Sequence, residues 1–160
     1  MSDVVSLTLA ALQADIDARA SGITIEWKSG QQAAMDDGTP TRIVWVPMQD
    51  TWLPADQAGS EEDESRVLAV CANGVRAYVW ADSDEAARLL RNLLVAALYR
   101  AATTRGNGVQ STWASDELRN FASGSQVMVD FAVREHVLDD APTTATPTTF
   151  EEEEPEVDDP

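Results

Sequence analysis

A stripe of apolar side chains recurs every three to four residues over the first part of the chain, and this spacing predicts an amphipathic helix to about Arg19. Ser2 or Asp3 can cap its first turn, and Ser21-Gly22 ends it. The stripe consists of Val5, Leu9, Leu12 and Ile16. After the helix, the segments ITIEW at 23–27 and TRIVWVP at 41–47 predict two short strands.

Residues 66–80 predict a β-hairpin. Asn73-Gly74 is a favoured dipeptide for a two-residue type I′ turn, which needs positive φ at both positions. In that register one face of the hairpin is wholly apolar and suits a covering helix. The other face carries Arg76 and Tyr78 and is therefore half-exposed or covered by something else.

The covering helix is predicted to follow at once. Asp82 and Glu85 have the spacing of a capping box, and a broad apolar stripe continues to about Ala102. The stripe consists of Leu90, Leu93, Leu94, Ala97, Leu98 and Ala101.

Two further segments shape the predicted fold. Residues 48–65 are polar, acidic and interrupted by Pro and Gly, which predicts a long loop, with Trp52, Leu53 and Pro54 as an apolar group inside it. Residues 125–137 alternate strictly, which predicts a strand with one apolar face and one mixed face that includes Arg134. A shorter strand is predicted at 109–113, where Trp113 lies.

These elements predict an α+β domain over residues 1–138, with two helices packed on one face of a small, mostly antiparallel sheet. Residues 139–160 differ in composition. They contain nine acidic residues, no basic residue and few apolar ones. Such a segment cannot bury enough apolar surface to repay its ordering entropy, so we expect a disordered acidic tail.

The net charge of −17 limits the classes of partner. Without the tail, residues 1–138 hold 19 acidic and 11 basic residues, a net charge of −8. Sequence-independent binding to duplex DNA and adhesion to anionic lipid both depend on clustered Lys and Arg, and neither is expected here. No apolar run is long enough to cross a bilayer, and Asp3 does not suit a secretion signal, so we expect a protein made in the cytoplasm.

Few residues can carry chemistry. His136 is the only histidine and Cys71 the only cysteine; a surface histidine and a packed thiol account for them better than a catalytic pair. The acidic clusters lack the spacing of a calcium loop, and RGNG at 105–108 lacks the residues of a phosphate loop. We therefore expect no enzyme activity, no metal and no cofactor. The five tryptophans favour binding instead, and Trp52 or Trp113 is a candidate partner contact.

The order of elements resembles the tail terminator (tail completion) proteins of long-tailed bacteriophages. The resemblance covers roughly residues 1–138 and rests on the leading helix, on VRAYVWADSDEAARLLRNLLVAALYRA, on the STW strand and on the closing strand GSQVMVDFAVREHV. The acidic tail belongs to no pattern of that family.

The resemblance implies a hexameric ring in the neck of the virion. Such a ring caps the tail tube, stops its polymerisation and joins it to the head-closure or connector protein, and in a contractile tail it also meets the sheath. DNA passes through the lumen without specific binding. The candidate interface residues are Trp52, Leu53, Pro54, Arg76, Tyr78, Trp113 and Arg134.

Two other functions remain open from the sequence. A head-closure or neck adaptor protein also forms rings and lacks catalytic residues. An acidic DNA mimic that inhibits a nucleic-acid enzyme belongs to a different class and would need ordered surface carboxylates, whereas nearly a third of the acids lie in the predicted tail.

Overall fold

The computed structural model describes residues 3–31, 41–54, 61–62, 65–103, 106–114, 118–121 and 124–139. Within these residues there are two helices, α1 (Asp3–Arg19) and α2 (Asp84–Ala101). The strands within them are β1 (Glu26–Ser29), β2 (Arg42–Pro54), β3 (Glu61–Glu62), β4 (Ser65–Ala81), β5 (Ala102–Thr103), β6 (Gly108–Ala114), β7 (Leu118–Phe121) and β8 (Gly124–Asp139). Of the predicted acidic tail, only Asp139 lies within the described residues, so its disorder stays a prediction.

The described strands form one mixed sheet in the order β1-β2-β4-β8-β6-β5, with β3 beside β4 and β7 beside β8. β1 is parallel to β2 and β5 is parallel to β6, while the other pairings are antiparallel. The prediction of a small, mostly antiparallel sheet was therefore wrong: the fold is α+β, but its sheet is large and mixed. The parallel strands at the edges have only four and two residues, too short to show an alternating pattern.

The predicted hairpin at Asn73-Gly74 was also wrong, because β4 continues through both residues as one strand of 17 residues. Asn73 lies opposite Asp50 of β2 on one side and Val133 of β8 on the other. Its side-chain amide donates to the Val133 carbonyl at 3.1 Å. A turn at this point would give up the ladder hydrogen bonds that β4 makes with neighbours on both sides.

Strand β2 likewise continues where a loop was predicted. It extends to Pro54 and pairs with β4 along its whole length, apart from one extra residue between Pro47 and Asp50. This β-bulge lies opposite Gly74 and reverses which residues of β2 face the helices. The sequence interpretation failed here because a bulge breaks the two-residue period on which strand prediction depends.

Both helices pack on the same face of the sheet. The predicted apolar stripe of α1 is confirmed, since Val5, Leu9, Leu12 and Ile16 are all buried. Helix α2 buries Ala87, Leu90, Leu94, Ala97 and Leu98. Under the helices, the sheet contributes Ile43, Trp45, Val75, Ala77, Val79, Val127, Val129, Phe131 and Val133 to the same core. Each buried leucine stabilises the fold by about 1.5–3 kcal/mol.

Helix α2 begins one residue later than the capping-box interpretation requires. The N-cap is Ser83, whose side-chain oxygen accepts a hydrogen bond from the Ala86 amide at 3.1 Å. The predicted capping box of Asp82 and Glu85 was therefore wrong. Asp84, in the first turn, accepts a hydrogen bond from the Ser125 hydroxyl of β8, which attaches the start of the helix to the sheet.

The sheet is longer than its helical layer. The 17 residues of β4 span roughly 50 Å at about 3.3 Å per residue, whereas the 18 residues of α2 span about 27 Å at about 1.5 Å per residue. The core under the helices ends at Val75 on β4. Beyond the Asn73–Val133 row, toward Ser65, β4 and its neighbours extend past the described helices, and the candidate site lies there.

Candidate interaction surfaces

The face of the sheet opposite the helices, the helix-free face, includes three cross-strand rows on β2, β4 and β8 that lie behind the helix-covered part of the sheet. Because partners in register share a face, each row can be read directly from the strand pairing. The rows are Arg42–Trp80–Gln126, Val44–Tyr78–Met128 and Val46–Arg76–Asp130. The rows mix apolar, aromatic and charged groups, as the alternating pattern of residues 125–137 predicts.

An ion pair joins Arg76 of β4 to Asp130 of β8, in the row nearest the middle of β4. The Arg76 Nε and Nη2 atoms donate to the two carboxylate oxygens of Asp130 at 2.6 and 2.8 Å, and both side chains are about one-third exposed. The hydrogen bond to Asp130, followed by one to Tyr78, raises the pKa of Arg76 above its usual range. This bidentate pair joins the two longest strands and keeps both charges partly open to solvent.

A second cluster closes the other end of the helix-free face. The Arg42 guanidinium lies 4.4 Å from the centre of the Trp80 ring, and Phe121 of β7 lies 4.9 Å from the same ring. Arg42 and Trp80 are only 1% and 4% exposed. A cation held over a buried indole gains from reduced water screening, so we assign this cluster to the stability of the sheet.

Three exposed apolar side chains lie on the helix side of the sheet, beyond the helices. Trp52 of β2 is 63% exposed, Leu68 of β4 is 45% exposed and Val137 of β8 is 36% exposed. Trp52 is in register with the buried Cys71, and Val137 is in register with Ala69. Val67 packs on the helix-free face, so the next residue, Leu68, points to the helix side, and the bulge here leaves Ala69 on that side too. We call Trp52, Leu68 and Val137 the distal patch.

Carboxylates flank the distal patch. Glu135 is in register with Cys71, and Asp50 lies one row nearer the helices, opposite Asn73. Burial and the charges of Asp50 and Glu135, in that order, raise the pKa of the Cys71 thiol. The patch is therefore an apolar surface in a negative field, and its thiol stays protonated at neutral pH.

Cys71 and His136 do not form a nucleophile–base pair. Cys71 is in register with Glu135, so the next residue, His136, lies on the opposite face of the sheet. The His136 amide donates to the Asn107 side chain at 2.8 Å. In the described parts of the chain, no group of three or more His, Cys, Asp or Glu side chains is placed to hold a metal ion.

Residues 52–54 were predicted as one apolar group, but they do not share a face, because successive residues of β2 point to opposite sides of the sheet. Trp52 points to the helix side and is exposed. Leu53 points to the helix-free face, where it packs against Val67 and Val70 of β4. Pro54 is in register with Ala69, and its side chain lies outside the described atoms. The structure thus separates Trp52 from Leu53 instead of presenting both to one partner.

The other predicted interface residues are also divided. Arg76, Tyr78 and Arg134 share the helix-free face, although Tyr78 packs against Val44 and Val46 and Arg76 is engaged by Asp130. The backbone of Trp113 lies in β6 in register with Phe131, and its side chain is outside the described atoms. The exposed surface around Trp52 is therefore separate from the face that carries the three other described side chains.

Three tryptophans are structural. Trp45 and Trp80 are buried, and Trp27 is half-buried and stacks on Trp45 with 5.6 Å between ring centres. The Trp27 indole also donates to both carboxylate oxygens of Asp17 on α1 at 3.1 Å. Among the tryptophans whose side chains the structure describes, Trp52 is mostly exposed, and its role as a partner contact stays a prediction.

Sequence reasoning missed Leu68 and Val137, because each lies inside a segment interpreted as an ordinary strand. On α2, a row of residues beside the core-facing stripe recurs at intervals of three or four: Arg88, Arg91, Val95 and Tyr99. Arg88 is exposed and Tyr99 is 64% exposed, whereas Arg91 and Val95 are half-buried and Val95 packs against the core. We call these four residues the arginine stripe.

No described helix is long and apolar enough to cross a membrane.

Neither a protein-family model nor a curated protein matches this chain.

Proposed function

We propose that this protein is a tail terminator of a long-tailed bacteriophage, which forms a ring on the end of the finished tail tube, stops its polymerisation and joins it to the head connector. The observation that carries the proposal is the distal patch: three paired strands expose a tryptophan, a leucine and a valine beyond the helices. Apolar side chains held on paired strands cannot turn inward, so a partner must remove them from water.

The presence of two unlike surfaces supports a ring. Closed rings of more than two identical subunits require heterologous contacts, in which one patch of a subunit meets a different patch of the next. The described structure offers the distal patch and the arginine stripe on the helix side and a mixed face opposite. A two-fold dimer would instead need one self-complementary patch.

The charge supports a passage for DNA. Phosphates bind tightly to clustered Lys and Arg, and a protein with a net charge of −17 leaves a duplex mobile in its lumen. The same charge suits a neck protein whose contacts are with other proteins: the tail tube, the connector and, in a contractile tail, the sheath.

The test uses the phage that carries this gene. An amber mutation in the gene should give tails longer than normal with free tube ends, and the protein supplied from a plasmid should restore normal length. Negative-stain electron microscopy measures tail length directly. Tails of normal length that are detached from heads would contradict termination and indicate a neck adaptor instead.

A second measurement examines assembly. Mass photometry of the purified protein, alone and with purified tail tubes, should reveal a ring-sized species or decorated tube ends. Monomers in both samples would overturn the proposal.

A further inference from the structure

We infer that the distal patch receives helix α2 of a second copy of this chain, whose arginine stripe lies across the bare end of the sheet. This inference rests on the proposed ring and names its subunit interface. It follows from a difference along the helix side of the sheet: the described helices cover β4 from Val75 to Ala81, whereas Trp52, Leu68 and Val137 stay exposed beyond them. A helix from a neighbour would continue the same layer.

The dimensions of the two surfaces agree. Across the strands, Trp52 on β2 and Val137 on β8 are two strand spacings apart, about 10 Å, and they are offset by two residues along β4. The spacing across the strands equals the diameter of a helix with its side chains. Along the strand, Leu68 to Asn73 measures about 16 Å at about 3.3 Å per residue. Along α2, Arg88 to Tyr99 also measures about 16 Å at about 1.5 Å per residue.

The charges favour α2 over α1 as the helix that lies on the distal patch of the neighbouring copy. The distal patch is flanked by Asp50 and Glu135, and the arginine stripe brings Arg88 and Arg91 to them. Beyond its first turn α2 carries arginines and no acidic residue. The outer side of α1 also exposes an apolar residue, Leu7, but it lies between Asp3 and Asp17, which would face the carboxylates of the patch.

The contact is heterologous, since a strand surface of one copy meets a helix surface of the next. Each subunit therefore uses the patch on one side and the stripe on the other, which is the geometry of a ring. Trp52 and Tyr99 supply the aromatic area that concentrates binding energy at interfaces, and the charges set orientation.

The first experiment changes the centre of the patch. Trp52→Ser removes a side chain that is 63% exposed, so the fold should be unaffected. We expect the protein concentration at half-assembly, measured by mass photometry, to rise at least about tenfold. Leu7→Ser is the matched control: it removes an apolar side chain that is 71% exposed on α1, and assembly should not change.

A charge exchange tests the partner surface. Glu135→Arg and Arg91→Glu should each weaken assembly by at least about tenfold, because each places like charges together. The double variant should assemble again, and so should an equal mixture of the two single variants, whose patches and stripes complement each other around an alternating ring. Circular dichroism of each variant checks the fold. If Glu135→Arg does not fold, the result for Trp52→Ser decides whether the distal patch is the subunit interface.

The outcomes separate this inference from the proposed function. If the wild-type protein assembles and Trp52→Ser and both charge reversals assemble equally well, the ring stands and this interface is overturned. If Trp52→Ser forms rings that no longer bind tube ends, the patch faces the tube and the inference is again overturned. A wild-type protein that stays monomeric alone and with tubes overturns both.

Discussion

Gly74 lies so close to the backbone of Gln49 that a Cβ atom on Gly74 would be 2.6 Å from the Gln49 carbonyl oxygen. The contact occurs where β2 bulges against the middle of β4. Glycine is therefore required at this position by the approach of a neighbouring backbone, and not by a turn, as the sequence suggested. The bulge and the glycine together decide that Trp52 points to the helix side of the sheet.

Replacing this glycine should be costly. Gly74→Ala forces either β2 or β4 to move, and we expect the free energy of unfolding to fall by about 1–3 kcal/mol. Urea denaturation followed by tryptophan fluorescence measures the change. Gly22→Asn is the control: Gly22 has a φ of +76°, which Asn tolerates, and a Cβ there meets no atom within 4 Å. Equal losses in the two variants would contradict the steric explanation.

Two substitutions test whether Ser83 or Asp82 is the N-cap of α2. Ser83→Ala removes the side chain that accepts from the Ala86 amide, and should lower the free energy of unfolding by about 1 kcal/mol. Asp82→Ala should have little effect, because Asp82 lies outside the cap. Thermal unfolding followed by circular dichroism compares the two variants. A larger loss for Asp82→Ala would restore the capping box that the sequence suggested.

The Arg76–Asp130 pair should couple β4 to β8. Because both groups are about one-third exposed, we expect a coupling free energy of only about 0.5–1 kcal/mol. A double-mutant cycle with Arg76→Met, Asp130→Asn and the combined variant measures this coupling through urea unfolding. The value should decrease in high salt, and a coupling that is unchanged by salt would mean that packing, not charge, is responsible.

Asp15 should link stability to pH. Hydrogen bonds from Arg19 and then Arg100 lower its pKa below the ordinary value of 3.8, so the stabilisation exists at neutral pH and is lost as the pH falls through the depressed pKa. Asp15→Asn should cost a few tenths to about 1 kcal/mol near neutral pH, and this cost should shrink as the pH falls below 3.8 through the depressed pKa. Urea midpoints of the wild type and the variant over a series of pH values test this. A cost that does not change with pH would mean that the charge of Asp15 is not responsible.

The predictions from sequence succeeded where a whole helix or strand keeps a single hydrophobic period. Val5, Leu9, Leu12 and Ile16 are buried as the helical spacing indicates, and the alternation of residues 125–137 lies within β8. It failed at Gly74 and at residues 48–54, where a bulge breaks the period and a glycine resembles a turn. It also failed at Ser83, since Asp82, Ser83 and Asp84 are all possible caps and only packing of the helix on β8 decides among them.

The sequence by itself determined that this protein has amphipathic helices, strands with one apolar face, a large excess of negative charge and five tryptophans, with Trp52 and Trp113 as candidate contacts. These are properties of neighbours along the chain. Only the tertiary structure decided that three long strands extend past the helices, that Leu68 and Val137 join Trp52 on one surface, and that Leu53 does not. Those relationships depend on register and on two bulges, which are set by contacts between residues far apart in the sequence.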